Sequence, residues 1–217
     1  MGTTSCRCFV FCAAMIGLIL VASAASADLV VNGGFESPNT GLPDELVPPG
    51  TLDGWSVTGA VEIIASSYWT PNSGLQSLDM NGGVAGTISQ SLATDAGQTY
   101  NLTFAMSGNF DGTANGQSLT ERSLEVFWGG DPLGTFTFTK PGGWSKSNMG
   151  WTTKSASGLT ATGNLMELSF VSLELGDAGP TLDDVHVNAV PEPGSLALLG
   201  LGLPLAGVWY RRRKRSA

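Results

Sequence analysis

Hydrophobic and polar positions alternate through most of the middle of this chain. In residues 100–106, Tyr100, Leu102, Phe104 and Met106 share one face, and Asn101, Thr103 and Ala105 the other. Residues 123–128 bring Leu124, Val126 and Trp128 together, and residues 164–170 do the same with Met166, Leu168 and Phe170. Residues 133–139 set Leu133, Thr135 and Thr137 against Gly134, Phe136 and Phe138. A period of two is that of a strand with one face on a core. Turn-forming groups separate the runs: Asn32-Gly33-Gly34, Asn72-Ser73-Gly74, Asn81-Gly82-Gly83, Asp111-Gly112, Asn115-Gly116 and Pro141-Gly142-Gly143. Many short strands with no helix between them predict an all-β fold, an antiparallel β-sandwich. Trp55 and Trp128 sit in apolar strand patterns and are expected in its core. Residues 37–50 hold four prolines and no periodicity, and read as a long surface loop.

The two ends follow other rules. Residues 1–27 combine Arg7, an apolar run over residues 9–21 and the small-residue site Ala25-Ser26-Ala27, the pattern of a signal peptide cut after Ala27. At the other end come Pro191, Glu192 and Pro193, an apolar run over residues 194–210, and Arg211, Arg212, Arg213, Lys214 and Arg215. The prolines cannot donate a ladder hydrogen bond and so end the last strand. Seventeen apolar or small residues make a helix of roughly 25 Å, near the lower limit for crossing a hydrocarbon core of about 30 Å. The cations hold the tail in the cytoplasm, so the body is delivered to the far side.

This ending resembles the PEP-CTERM sorting signal of Gram-negative bacteria. The resemblance implies recognition of Pro191, Glu192 and Pro193 by an exosortase. The chain would pass through the inner membrane on its C-terminal helix, then reach the cell surface or extracellular matrix. An ordinary C-terminal anchor that stays in place is the other reading.

The body between the ends, residues 28–190, is one domain large enough to bury a core without staples. Cys6, Cys8 and Cys12 all lie in the leader, so no disulfide is available to it. Its cations are Arg122, Lys140, Lys146 and Lys154, 4 against 17 of the chain's 18 carboxylates, or −13. Such a body repels polyanions, which excludes nucleic acid as a partner.

Certain motifs recur in a set order. Leu29-Val30-Val31-Asn32-Gly33-Gly34-Phe35-Glu36 opens the body, followed by Gly54-Trp55, Asn72-Ser73-Gly74-Leu75-Gln76-Ser77-Leu78-Asp79, the strand from Tyr100, and Leu182-Asp183-Asp184-Val185-His186-Val187. The set resembles the galactose-binding-like jelly-roll modules, which include many carbohydrate-binding modules, and among them the choice-of-anchor C proteins and related plant cell-wall proteins. The resemblance implies a jelly roll with a structural Ca²⁺ joining the chain ends. Carried onto this sequence, its ligands are Glu36 and Asp183, the Gly34 carbonyl and oxygens near Asn72. Alternation also puts Asp183 on the face of Val185 and Val187, where a carboxylate needs partners or a cation. The plainer reading is a solvated Asp183 at the sheet end and a turn-capping Glu36. Asp79 and Asp184 read as turn or metal residues.

Sugar-binding modules stack pyranose rings on exposed aromatics. Tyr68, Trp69 and Trp144 lie in apparent loops and are the candidates here. Catalysis finds little support. His186 is the body's one histidine and faces outward on a terminal strand, no nucleophile elbow is present, and zinc spacing is absent. The expectation is a non-catalytic surface protein binding extracellular polysaccharide. The alternative is a structural or adhesive matrix protein that contacts other proteins.

Overall fold

The computed structural model describes residues 27–111, 113, 114, 117, 118 and 120–191. The predicted leader, the apolar run over residues 194–210, and Glu192 and Pro193 lie outside them. Every helix or strand among the described residues is a strand. In chain order these are β1 (Asp44–Val47), β2 (Gly50–Leu52), β3 (Trp55–Thr58), β4 (Val61–Ala65), β5 (Gln76–Asp79), β6 (Thr87–Ala93) and β7 (Thr99–Gly108). There follow β8 (Thr113–Ala114), β9 (Gln117–Ser118), β10 (Glu121–Trp128), β11 (Asp131–Thr139), β12 (Thr152–Thr160), β13 (Leu165–Ser172) and β14 (Pro180–Ala189).

Two six-stranded sheets form, in the orders β1-β4-β5-β14-β7-β12 and β11-β10-β13-β6-β3-β2, while β8 and β9 pair with each other. Every pairing is antiparallel. Alternation builds the core as expected. Leu102, Phe104 and Met106 of β7, Leu124, Val126 and Trp128 of β10, and Met166, Leu168 and Phe170 of β13 are all buried. Phe104 and Phe170 meet edge to face across the sheets at 5.2 Å. Trp55 and Trp128 are interior, as their strand patterns require. Each such side chain contributes about 1.5–3 kcal/mol by leaving water.

Residues 37–50 are not one long loop. Asp44–Val47 forms β1, which pairs with β4 at the sheet edge. Prolines flank the strand without entering it, so its amides stay free to pair. At four residues it is too short to announce itself by periodicity.

A second departure moves Asp183. Leu182 pairs with Met106 and Asp183 with Ala105, but the next pair is His186 with Thr103, so a bulge lies between. Asp184 takes the bulge at φ 47°. Alternation is broken there. Val185 and Val187 face the core, while Asp183 shares the outer face with Ala105 and Thr181. It is nonetheless 0% exposed, because residues 66–75 fold back over that face. Ile64, Trp69 and Met149 form a second apolar cluster.

The opening segment is stitched along the second half of β14. Leu29 N donates to Val187 O at 3.0 Å, and Val185 N donates to Gly33 O at 3.0 Å. Asp28 adds an end clamp, accepting from Val187 N at 2.9 Å and meeting His186 Nδ1 at 2.6 Å.

Gly33 allows this close approach, since a Cβ there would stand 2.0 Å from Val185 O. Gly33→Ala is therefore expected to cost at least about 2 kcal/mol, read as a lower midpoint in urea unfolding. An unchanged midpoint would mean that the opening segment does not support the fold.

Candidate functional site

Two polar constructions lie on the outer side of the first sheet. One gathers the residues expected to hold a metal. Asp183 Oδ2 accepts from the amides of Asn72 at 2.8 Å and Ser73 at 3.0 Å, and Oδ1 accepts from Asp184 N at 2.8 Å. Glu36 Oε1 accepts from the amides of Leu75 at 2.7 Å and Gln76 at 3.0 Å. Asp184 grips the same loop, taking Asn72 Nδ2 and Ser73 Oγ at 2.6 Å each. The opening segment, the β4–β5 loop and β14 therefore meet at one place. Gly74 makes the room, since a Cβ there would stand 2.0 Å from Glu36 Oε1, and Gly34 lies beside Asp183, a Cβ there meeting Oδ1 at an ordinary 3.8 Å.

Electrostatics leave this knot unbalanced. Burial pushes the Asp183 carboxyl up to about 7, and the Asp184 charge adds to that, while the amides of Ser73, Asp184 and Asn72 oppose it. Lys140, Lys146 and Lys154 are engaged elsewhere, at Trp144, Asp111 and the Thr137 carbonyl. The donors are all oxygen, the chemistry suited to a hard cation such as Ca²⁺. Among the described residues no three His, Cys, Asp or Glu side chains converge closely enough to hold a metal between them. A cation here would draw on backbone carbonyls as well. Glu36, Asp183, Gly34 and Asn72 are thus neighbours, and Ser73 and Asp184 join them.

The second construction is a polar cleft of about 160 Å³ lined by Glu62, Tyr68, Asn109, Asp111, Asp177 and Ala178. Strand β4 and three loops build it, at the end of the sandwich where β14 begins. Its floor is a buried network around Asp79, which lies in β5 and not in a turn. Asp79 accepts from Asn109 Nδ2 at 2.6 Å, Asn81 N at 3.0 Å and Gly179 N at 3.1 Å. Burial drives its carboxyl up to about 8 against those hydrogen bonds, with Glu62 adding repulsion. Burial also raises Glu62, as do the charges of Asp44 and Asp177. Burial alone would raise Asp111, but hydrogen bonds from Lys146 and Tyr68 outweigh it and hold Asp111 below the usual carboxylate range.

The aromatic platform expected from the sequence is corrected. Trp69 is 1% exposed and Trp144 7%. Trp69 packs on Ile64 and Met149 and donates Nε1 to Ser77 Oγ at 2.9 Å. Trp144 meets Phe110 edge to face at 5.1 Å and packs at a tilt on Phe138 at 5.8 Å. Their loops fold inward, so neither offers a free face to a sugar. Tyr68 is half-buried, with Lys146 Nζ 3.7 Å from its ring centroid and its hydroxyl bonded to Asp111 at 2.6 Å. No aromatic residue is among the exposed large side chains of the described residues. Sequence reasoning missed the cleft because Glu62, the pair Asn109 and Asp111, and Asp177 come from three separate segments. His186 is exposed and bonds to Asp28, at the other end of β14.

The DUF642 family, described as "Protein of unknown function (DUF642)", matches residues 28–188, and the chain belongs to it. The PEP-CTERM protein-sorting motif matches residues 189–215, which implies export by an exosortase route to the cell surface. Halomucin of Haloquadratum walsbyi is 27% identical over 178 residues, 79% of this chain and 2% of that protein. Protein DUF642 L-GALACTONO-1,4-LACTONE-RESPONSIVE GENE 2 of Arabidopsis thaliana is 27% identical over 183 residues, 76% of this chain and 47% of that one. The chain thus spans less than half the length of these curated relatives. TmCBM61, solved with β-1,4-galactotriose, superposes with a TM-score of 0.51 at 18% identity, covering 76% of this chain and all of that one. The Stig cyclase Fisc of Fischerella sp. TAU gives 0.53 at 16%, covering 77% and 99%. The fold is the jelly roll of carbohydrate-binding modules, and it also carries enzymes.

Asp79 yields a pH prediction. Its folded carboxyl holds a proton up to about pH 8, whereas the unfolded one releases it near pH 4. Stability from this group is full below about pH 4 and is lost as pH rises toward 8. Thermal melting of the metal-free body should therefore fall across that window, and Asp79→Asn should flatten the fall. A wild-type midpoint that rises from pH 5 to 8 would contradict the raised carboxyl.

Proposed function

We propose that this protein is a non-catalytic polysaccharide-binding module displayed on the cell surface or in the extracellular matrix, with a body stabilised by calcium. The observation that carries the reading is the polar cleft on a carbohydrate-binding-module jelly roll. Its lining offers carboxylates, an amide, a phenol and, at the rim, the Lys146 ammonium. Such groups recognise sugar hydroxyls by hydrogen bonds, and no exposed ring is needed. Three carboxylates against one ammonium disfavour an anionic glycan, so the partner is neutral or cationic. The β-1,4-galactotriose bound by TmCBM61 makes a neutral galactan a natural first probe.

Calcium enters the proposal through the knot at Asp183. A cation bound there would neutralise a buried carboxylate and join the opening segment, the β4–β5 loop and β14. Its role is to hold these parts together, with no chemical step assigned to it. The C-terminal helix would serve as a passing inner-membrane anchor before processing.

A second reading has its own support. Leu173 and Leu175 are exposed, Leu175 by 92%, in the loop that also supplies Asp177 to the cleft. An apolar rim of that kind suits a protein partner in a structural or adhesive matrix role.

The two readings are separated by affinity electrophoresis against neutral galactan, xylan and the producing cell's own polymer. Polysaccharide binding predicts retardation that Asn109→Ala with Asp177→Asn weakens at least tenfold. No retardation on any polymer would sink it in favour of the protein-contact reading. For the metal, calcium at a hundredfold excess over Kd should stabilise the body by about 2.7 kcal/mol, several degrees in Tm. Chelator should reverse the shift and Asp183→Asn should abolish it; an identical melt with and without chelator would remove calcium from the proposal.

A further inference from the structure

Among the described residues, the last one held by the sandwich, Val190, stands directly before Pro191. Val190 N donates to Thr99 O at 2.8 Å, and Val190 O accepts from Gln98 Nε2 at 2.7 Å. Gln98 Nε2 also holds the Thr99 carbonyl at 3.0 Å. The two preceding residues, Asn188 and Ala189, are paired with Asn101 and Tyr100 of β7. Pro191 follows directly. No unbonded residue separates the folded body from Pro191, Glu192 and Pro193.

This matters for any enzyme that cuts there. Peptide-cleaving sites hold their substrates extended, with main-chain groups bonded to the enzyme in the manner of an added strand. The groups before Pro191 are the amide and carbonyl of Val190 and those of Ala189 and Asn188. Both polar backbone atoms of Val190 are already taken by the fold. Sandwich and enzyme therefore compete for the same hydrogen bonds.

We propose that processing at the sorting motif is gated by fraying of the end of β14, with Gln98 as the clasp that sets how often it opens. The inference rests on the exosortase reading and adds a control step to it. In the cut itself one peptide C–N bond breaks. The acyl carbon passes to water or to a hydroxyl or amine acceptor, and the released tail keeps the protonated amine. The fold acts before that step, by setting the fraction of molecules whose terminal residues are free. Ends of strands open far more often than whole domains unfold, so the gate leaves the body intact. Asp28, which holds Val187, limits how far the opening runs.

The test follows the full chain in a Gram-negative host carrying an exosortase, by pulse labelling and the shift from precursor to shortened body. One variant inserts eight Gly and Ser residues between Val190 and Pro191 and leaves every described contact in place. The other is Gln98→Ala, accompanied by a melt of the same protein. The insertion is expected to raise the processing rate severalfold. Gln98→Ala should raise it roughly three- to tenfold, the effect of one hydrogen bond. Adding Gln98→Ala to the insertion should give no further gain. An insertion that leaves the rate unchanged or lower overturns the gate while the sorting reading stands. A wild-type chain left whole, in a host that trims a control substrate, overturns both.

Discussion

Two carboxylates taken out of water, Asp79 and Asp183, determine what sits on the outer face of the first sheet. An ionised carboxylate there cannot stay unpaired. Each has drawn backbone amides from loops that would otherwise have little to hold them. Asp183 fixes the loop at Asn72 and Ser73; Asp79 fixes the approach to β14 at Gly179 and the side chain of Asn109. The loops in turn cover Trp69 and shape the polar cleft. Remove the carboxylates and the outer face loses the anchor points of its cover, while the core between the sheets keeps its own packing.

The scarcity of cations explains why amides do this work. Arg122 is buried and lies in the field of Glu174 and Asp79. Lys146 sits on Tyr68 and Asp111 at the cleft rim. A body with so many acids and so few bases cannot neutralise its interior carboxylates by ion pairs. Protonation, amide donors or a bound cation are the remaining means, and they respond to pH and to metal supply where ion pairs respond mainly to salt.

The sandwich was legible because its strands alternate cleanly. Leu102, Phe104 and Met106, or Met166, Leu168 and Phe170, announce a buried face by spacing alone. Asp183 was misplaced for the same reason: alternation assumes an unbroken strand, and the bulge at Asp184 turns the next residues over. Trp69 and Trp144 were misread because periodicity describes strands and is silent on loops that fold back, Trp69 into a second cluster and Trp144 into the main core. Glu36, Asp183, Gly34 and Asn72 could be grouped through family resemblance, which carries the meeting of distant segments. The cleft had no such guide. Its residues are separated in sequence, and only the sheet order brings Glu62 of β4 near the loop that precedes β14.

The stitching of the opening segment and of β7 to β14 has a mechanical side. β14 lies inside its sheet, bonded to β7 along its length and to β5 and the opening segment on the other flank. A pull on the chain beyond Val190 runs along this strand, parallel to its neighbours. Its hydrogen bonds are then loaded together in shear and cannot be unzipped one by one. Resistance to such a load depends on the barrier to unfolding, not on equilibrium stability. A domain tethered through its C-terminus while its other pole grips a polymer would meet drag and flow through its strongest axis.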